Sequence, residues 1–224
     1  MKRAVKPRRS RRPRGSLNRE QVVEAALRLA DREGVEALTM PALASELECG
    51  VMTLYGYVQD KDDLLDAIAV RGLADLRLEP PLPVHPVAVL TEWGRALRTA
   101  LLAHPSMGLI FLNRVVIGPA IFTGLEALLR ALDRGGMPPS AGVHAVYAVL
   151  IYTAGFVAWE IPRTRLQPPS AYAAAWRREF AALPASGFPL TETVLDELSL
   201  VAADQQFELG LAALSAGLAQ GTTA

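Results

Sequence analysis

The densest chemistry in the sequence is at its start. Lys2, Arg3, Lys6, Arg8, Arg9, Arg11, Arg12 and Arg14 place eight cations in the first fifteen residues, with no acid among them. Guanidinium and ammonium groups at this density neutralise phosphate diesters, and each counterion they displace adds to affinity for a nucleic acid. Parts for covalent or metal chemistry are scarce. The three histidines are His85, His104 and His144, and the single cysteine is Cys49. No nucleophile elbow, glycine-rich phosphate loop or metal-ligand spacing appears, so neither an enzyme, a metal centre nor a cofactor is expected. One cysteine also precludes an intrachain disulfide and suits a reducing cytoplasm.

A cationic arm needs a body that places it. The formal net charge is zero, yet outside the arm 15 basic residues face 23 acidic ones. The arm must therefore supply most of any affinity for phosphate. Further along lies the stretch Leu38 to Lys61, LTMPALASELECGVMTLYGYVQDK. Thr39 is a helix N-cap residue, and Leu43, Ala44 and Leu47 recur on one helical face. A break spans Glu48 to Gly50, after which Val51, Leu54, Tyr55 and Val58 begin a second stripe. Two helices this short need a platform, and Leu17 to Gly34 offers one through Val22, Val23, Ala26, Leu27, Leu29 and Ala30. This is a helix-turn-helix, which presents its last short helix to a DNA major groove. An arm directly before its first helix is placed to follow the phosphates or enter the minor groove through Arg8, Arg9, Arg11, Arg12 and Arg14. Residues 1–15 are too charged and too poor in apolar side chains to bury a core, and disorder free of DNA is expected for them.

Residues 17 to 65 closely resemble the DNA-binding domain of the tetracycline-repressor family of bacterial regulators. The likeness rests on the run Gly34 to Thr39, the pair Leu54-Tyr55, Val58, Lys61 and Leu64-Leu65. The closing segment DQQFELGLAALSAGL is also similar to that family's last helix, through its FxxGLxxLxxGL pattern. One departure stands out: Glu48 occupies the place where the family opens the turn with glycine, so Gly50 is expected to shape it. The resemblance implies phosphate contacts from Thr39, Thr53, Tyr55, Tyr57 and Lys61. Met40, Pro41, Val51 and Met52 are the expected groove-facing residues. None of these four is a bidentate hydrogen bonder, so thymine methyl contacts and DNA shape would supply much of the specificity.

Beyond the reader, the sequence is helical throughout, with no β alternation and no internal repeat. Asp60 is placed to cap a connecting helix from Lys61 to about Arg77, and the Pro-rich EPPLPVHP at 79–86 breaks the chain. The domains expected are the arm at 1–15, a DNA-binding unit with its connecting helix at 16–78, and a ligand-binding and dimerisation domain at 79–224. Helices are expected over 87–103, 106–117, 120–134, 140–161, 171–183, 191–200 and 204–220. The uncharged run Ala141 to Trp159 has the length of a membrane span. Its Gly142, His144, Thr153 and Gly155, and its place among amphipathic helices, read instead as a buried central helix with no membrane partner.

The resemblance implies a pocket lined at Arg77, Trp93, Leu97, Phe111, Arg114, Tyr147 and Ile151. Where the tetracycline branch carries a metal-binding histidine in its sixth helix, this chain has Phe111, which cannot ligate magnesium. A hydrophobic aromatic or polyketide-like inducer is therefore expected in place of a magnesium chelate. The resemblance also implies a homodimer, built by the eighth and last helices of two subunits. The reading is an all-α, dimeric, cytoplasmic repressor that binds double-stranded operator DNA and is released by a small-molecule inducer. A small-molecule carrier with a vestigial helix-turn-helix is the alternative.

Overall fold

A computed structural model of the chain describes residues 17–73, 76, 81–164, 168–184, 187–199 and 203–221. The expectation of disorder in the arm, the Arg77 assignment and a domain boundary at Leu78 fall outside these residues. Twelve helices and no strand occur among them.

Helix α1 (Arg19–Glu33) begins in a capping box. Asn18 Oδ1 accepts from Gln21 N at 2.8 Å, and Gln21 Oε1 accepts from Asn18 N at 3.1 Å, which satisfies two of the free amides of the first turn. Thr39 Oγ1 caps α2 (Met40–Glu46) by accepting from Ala42 N. Helix α3 (Val51–Leu54) has four residues, too few to hold itself together. It is kept in place by the complete burial of Leu54 and the near-complete burial of Val58. Each such side chain contributes roughly 1.5–3 kcal/mol. Helix α4 (Lys61–Leu73) starts at Asp60, whose Oδ1 accepts from Asp63 N. It closes this first core with Leu64, Leu65, Ile68 and Ala69.

The second domain comprises α5 (Pro86–Ala103), α6 (Pro105–Asn113), α7 (Pro119–Arg134), α8 (Pro139–Thr164), α9 (Pro169–Ala181), α10 (Pro189–Thr193), α11 (Leu195–Ser199) and α12 (Ala203–Gln220). Six of the eight open on proline, whose fixed φ and missing N–H suit the first helical position. Helices α5, α8 and α12 pack closely because small residues meet large ones. A Cβ on Gly94 of α5 would lie 2.6 Å from Leu211 of α12, and one on Gly210 would collide with the Tyr152 hydroxyl. Gly210 thus serves a contact within the chain, where Tyr152 Oη also donates to Phe207 O at 2.9 Å. Burial raises the Tyr152 phenol above its usual range, so it remains a donor.

Helix bounds differ from the sequence reading at several places. Helix α6 stops at Asn113, four residues early, because Arg114 is extended and turns toward α4. Helix α8 continues past Pro162 to Thr164. The proline sits in the last turn, where the Arg163 and Thr164 side chains donate to the carbonyls of Trp159 and Glu160. The helix expected at 191–200 is two short ones, separated at Val194.

A charge network with a buried Arg98–Glu160 pair and an exposed Asp204 joins the three central helices. Arg98 of α5 donates to both Glu160 oxygens of α8, at 3.0 and 2.7 Å, and to Asp204 of α12 at 2.7 Å. Its guanidinium lies 4.8 Å from the centre of the Phe207 ring. The hydrogen bonds that Arg98 donates to Glu160 hold its pKa above the ordinary guanidinium value despite desolvation. Glu160 is the charged end of the long apolar α8, a helix of sufficient length and hydropathy to cross a membrane. Its Val149, Thr153, Ala154 and Val157 are buried. Arg98→Ala should leave Glu160 buried without its partner and destabilise the fold by about 3 kcal/mol, measurable as a lowered denaturant midpoint. Glu160→Gln should cost less, since the amide still accepts.

Candidate DNA interface and ligand-domain interior

The DNA-reading surface is set by which side chains the first core does not take. Met52 is 81% exposed, Tyr55 is 45% exposed, and Thr39, Pro41 and Thr53 are exposed beside them. Val51 and Tyr57 are half-buried against the core, and Lys61 is half-buried at the start of α4. Met40 corrects the sequence reading. Its expected place is the groove, yet it is 7% exposed and packs into the core as the first residue of α2. A thioether just after an N-cap fills the space between helices and cannot reach a base.

The turn between α2 and α3 is also made differently from expectation. Glu48 carries φ 53°, in the left-handed region, whereas Gly50 has φ −80° and is simply the N-cap of α3. The backbone keeps the conformation that glycine adopts freely and imposes it on Glu48, at a cost of roughly 1 kcal/mol.

Most cations of this unit are already engaged. Arg19 pairs with Asp63, Arg28 and Arg71 with Glu24, and Arg32 with Glu33 and Glu46. Among the described residues 17–73, Lys61 alone makes no ion pair with a carboxylate. Even the groove of about 1250 Å³ along α1, α4 and the α6–α7 connection is lined by Glu20, Glu24, Glu46, Glu48, Asp63 and Asp66 against three arginines. Residues 1–16, with Arg8, Arg9, Arg11, Arg12 and Arg14, lie outside the described residues.

The expected pocket residues separate into groups. Trp93 and Leu97 of α5 are buried in the second core. Trp93 Nε1 has no hydrogen-bond partner among the described residues. Phe111 of α6 is half-buried and touches both cores. Arg114 does not face an interior. It donates to Asp62 at 2.7 Å and to Asp66 at 3.2 Å, joining the end of α6 to α4. Tyr147 and Ile151 are 55% and 62% exposed and point away from their own chain's core. Helix α8 is apolar on every side, so periodicity cannot tell its two faces apart. Glu160 belongs to Arg98, a residue that sequence reasoning missed, because pairing between positions 62 apart leaves no local signal.

These features, a short exposed helix on a three-helix platform and a larger helical domain behind it, define a helix-turn-helix DNA-binding regulator. Residues 22–68 match the model for bacterial regulatory proteins of the tetR family, and residues 87–221 match the tetracyclin repressor-like C-terminal domain. The chain belongs to the TetR family of transcriptional regulators. Among curated relatives it is 32% identical to the HTH-type transcriptional repressor DrrR1 of Streptomyces coeruleorubidus, over 65% of this chain and 54% of that protein. It is 29% identical to the class A tetracycline repressor protein from transposon 1721 of Escherichia coli, over 89% of each. The match to the first of these therefore spans about half of the relative's length. Among solved structures, Streptomyces coelicolor ActR in complex with actinorhodin superimposes with a TM-score of 0.81 at 28% identity, covering 93% of this chain and 98% of that one.

The strained turn gives a direct test of the reader's backbone. Glu48→Gly should raise stability by up to about 1 kcal/mol in chemical denaturation, whereas Gly50→Ala should change it by less. A loss of stability on Glu48→Gly would contradict the left-handed turn.

Proposed function

We propose that the chain is a homodimeric repressor that holds operator DNA through the exposed α2–α3 face and the basic arm, and that a hydrophobic aromatic or polyketide-like molecule releases it in the cytoplasm. The observation that carries the DNA reading is the cluster Thr39, Pro41, Met52, Thr53 and Tyr55, left exposed by a core that buries the residues behind it. Two tyrosines, two threonines and Lys61 would position the unit on phosphates, and Met52, Pro41 and the edge of Val51 would meet the groove. With the body's arginines paired to carboxylates, Arg8, Arg9, Arg11, Arg12 and Arg14 would provide most of the counterion release.

The dimer is supported by an apolar outer face. Tyr147 and Ile151 on α8 and Leu209 on α12 are large and exposed, and Ala212 and Ala213 of α12 are exposed as well. A patch of this kind calls for a partner, and a second copy covering it with its own α8 and α12 would form an isologous four-helix interface. The ligand is supported by Trp93, Leu97 and Phe111 and by the indole N–H of Trp93, a donor inside an apolar domain with no acceptor among the described residues. ActR is known in complex with actinorhodin, and a variant TetR of Acinetobacter baumannii in complex with minocycline. Phe111, which cannot ligate magnesium, favours a ligand that needs none.

Two measurements test this reading. Operator binding titrated against salt should show a steep slope for the full chain. Deleting residues 2–14 should flatten that slope by roughly seven for a dimer if about four cations per subunit engage, and lower affinity at least tenfold at moderate salt. Tyr55→Ala should abolish binding with the fold intact. Ligand binding without any specific DNA binding would favour the carrier reading instead.

For the ligand, thermal melts with actinorhodin and minocycline, each with and without magnesium, should show a raised midpoint for a bound compound. That shift should not depend on magnesium, and Trp93→Phe, which removes the N–H while keeping an aromatic ring, should reduce it. Strict magnesium dependence would overturn the role given to Phe111.

A further inference from the structure

Helix α6 has no cap of its own. Its N-cap residue, His104, makes no side-chain bond to the first turn. The cap comes instead from α1, in the other domain. Asp31 Oδ1 accepts from Ser106 N at 3.0 Å and from Ser106 Oγ at 2.6 Å, while Asp31 Oδ2 lies 2.9 Å from His104 Nδ1. One carboxylate, 19% exposed, therefore holds three groups of the ligand domain, and its charge faces the positive end of α6.

Among the described residues, other ties between the two domains are less directional. Ile110 and Phe111 of α6 pack into the first core, an attraction that holds α6 against the reader without being directional in itself. Arg114 reaches Asp62 and Asp66, but those side chains are 72% and 38% exposed, so the pairs are screened and movable. Gly72 of α4 meets Met107 of α6 so closely that no Cβ would fit, although a flexible thioether sets a distance and not an orientation. Among these ties, Asp31 supplies the fixed geometry.

We propose that Asp31 is a positioning residue that sets the angle of the DNA-reading unit on the ligand domain, and thereby the operator half-site spacing that a dimer accepts. This rests on the DNA-binding and dimeric reading above. In a dimer clamped through α8 and α12, the separation of the two α3 helices depends on how each reader sits on its own α6. Asp31 makes no contact with the reading face, so losing it leaves the half-site sequence unchanged and loosens only the spacing. Asparagine can keep the joint: its Oδ1 still accepts from Ser106, and its amide can donate to a His104 ring nitrogen in the other tautomer.

The test begins with selection of duplexes from a random library by the full-length protein, followed by affinities for the selected site and for versions with the half-sites one base pair closer or further apart. The wild type should lose about tenfold on either change of spacing. Asp31→Ala should select the same half-site but lose about threefold or less, Ser106→Ala should fall between, and Asp31→Asn should restore most of the discrimination. Asp31→Ala that is folded, dimeric and as strict in spacing as the wild type would overturn the proposal. If that variant fails to fold, Ser106→Ala decides: unchanged strictness overturns the proposal and relaxed spacing supports it. A wild type that selects no sequence would instead remove the DNA-binding reading, and this inference with it.

Discussion

Helix α6 belongs to two hydrophobic cores at once, and the arrangement of the molecule depends on that. Met107 is buried among α5, α7 and α8 residues, Ile110 is buried among α1 and α4 residues, and Phe111 packs against both sets. Neighbouring positions on one short helix thus face different domains. Neither core can relax without moving the other, because side chains in close-packed interiors have few alternative placements. A molecule lodged near Phe111 would press on a helix whose far side is part of the DNA reader. In the proposed repressor, that shared helix would link occupancy of one domain to the population of DNA-competent states in the other.

Charge is distributed by the same logic of separation. The interior pairs Arg98 with Glu160 beneath an aromatic cluster of Tyr152, Phe156 and Phe207, and the exposed Asp204 caps the pair from the surface. The DNA-reading unit pairs its arginines with its own carboxylates and, among its described residues, leaves only Lys61 outside such pairs. Such a body is nearly neutral toward phosphate or repels it. Positive charge is instead concentrated in the arm, where the first fifteen residues hold eight cations and no acid. An arrangement of this kind separates geometry from affinity. In the proposed repressor the folded unit would specify position, and the arm would supply a salt-dependent attraction that acts at any sequence.

The reader itself is economical in a way that explains its strain. Four residues of α3 are anchored by Leu54 and Val58, which releases Met52, Thr53 and Tyr55 to the surface. The tight turn that makes this possible needs a left-handed residue, and Glu48 takes that conformation. Its side chain is exposed there and costs only backbone energy, which the packing of Leu43, Ala44 and Leu47 on the other side of the turn outweighs.

Helix type and order are legible in the sequence, because 3.6-residue periodicity, the cap at Thr39, the cap at Asp60 and the prolines at helix starts are local signals. Each acts within a turn or two of the residue that carries it. The helix-turn-helix is legible for the same reason, as is the segregation of charge into the arm. Direction and partnership at long range are what the sequence alone does not decide. Met40 reads as a groove residue and is core. Tyr147 and Ile151 read as lining and are outer surface, because a helix apolar on all sides carries no moment to orient it. Arg114 reads as a ligand contact and bridges to Asp62 and Asp66, while Arg98, Asp31 and Ser106 give no sign of their roles. Those assignments depend on which helices lie side by side, and only tertiary packing brings residues 31 and 106, or 98 and 160, within hydrogen-bond distance.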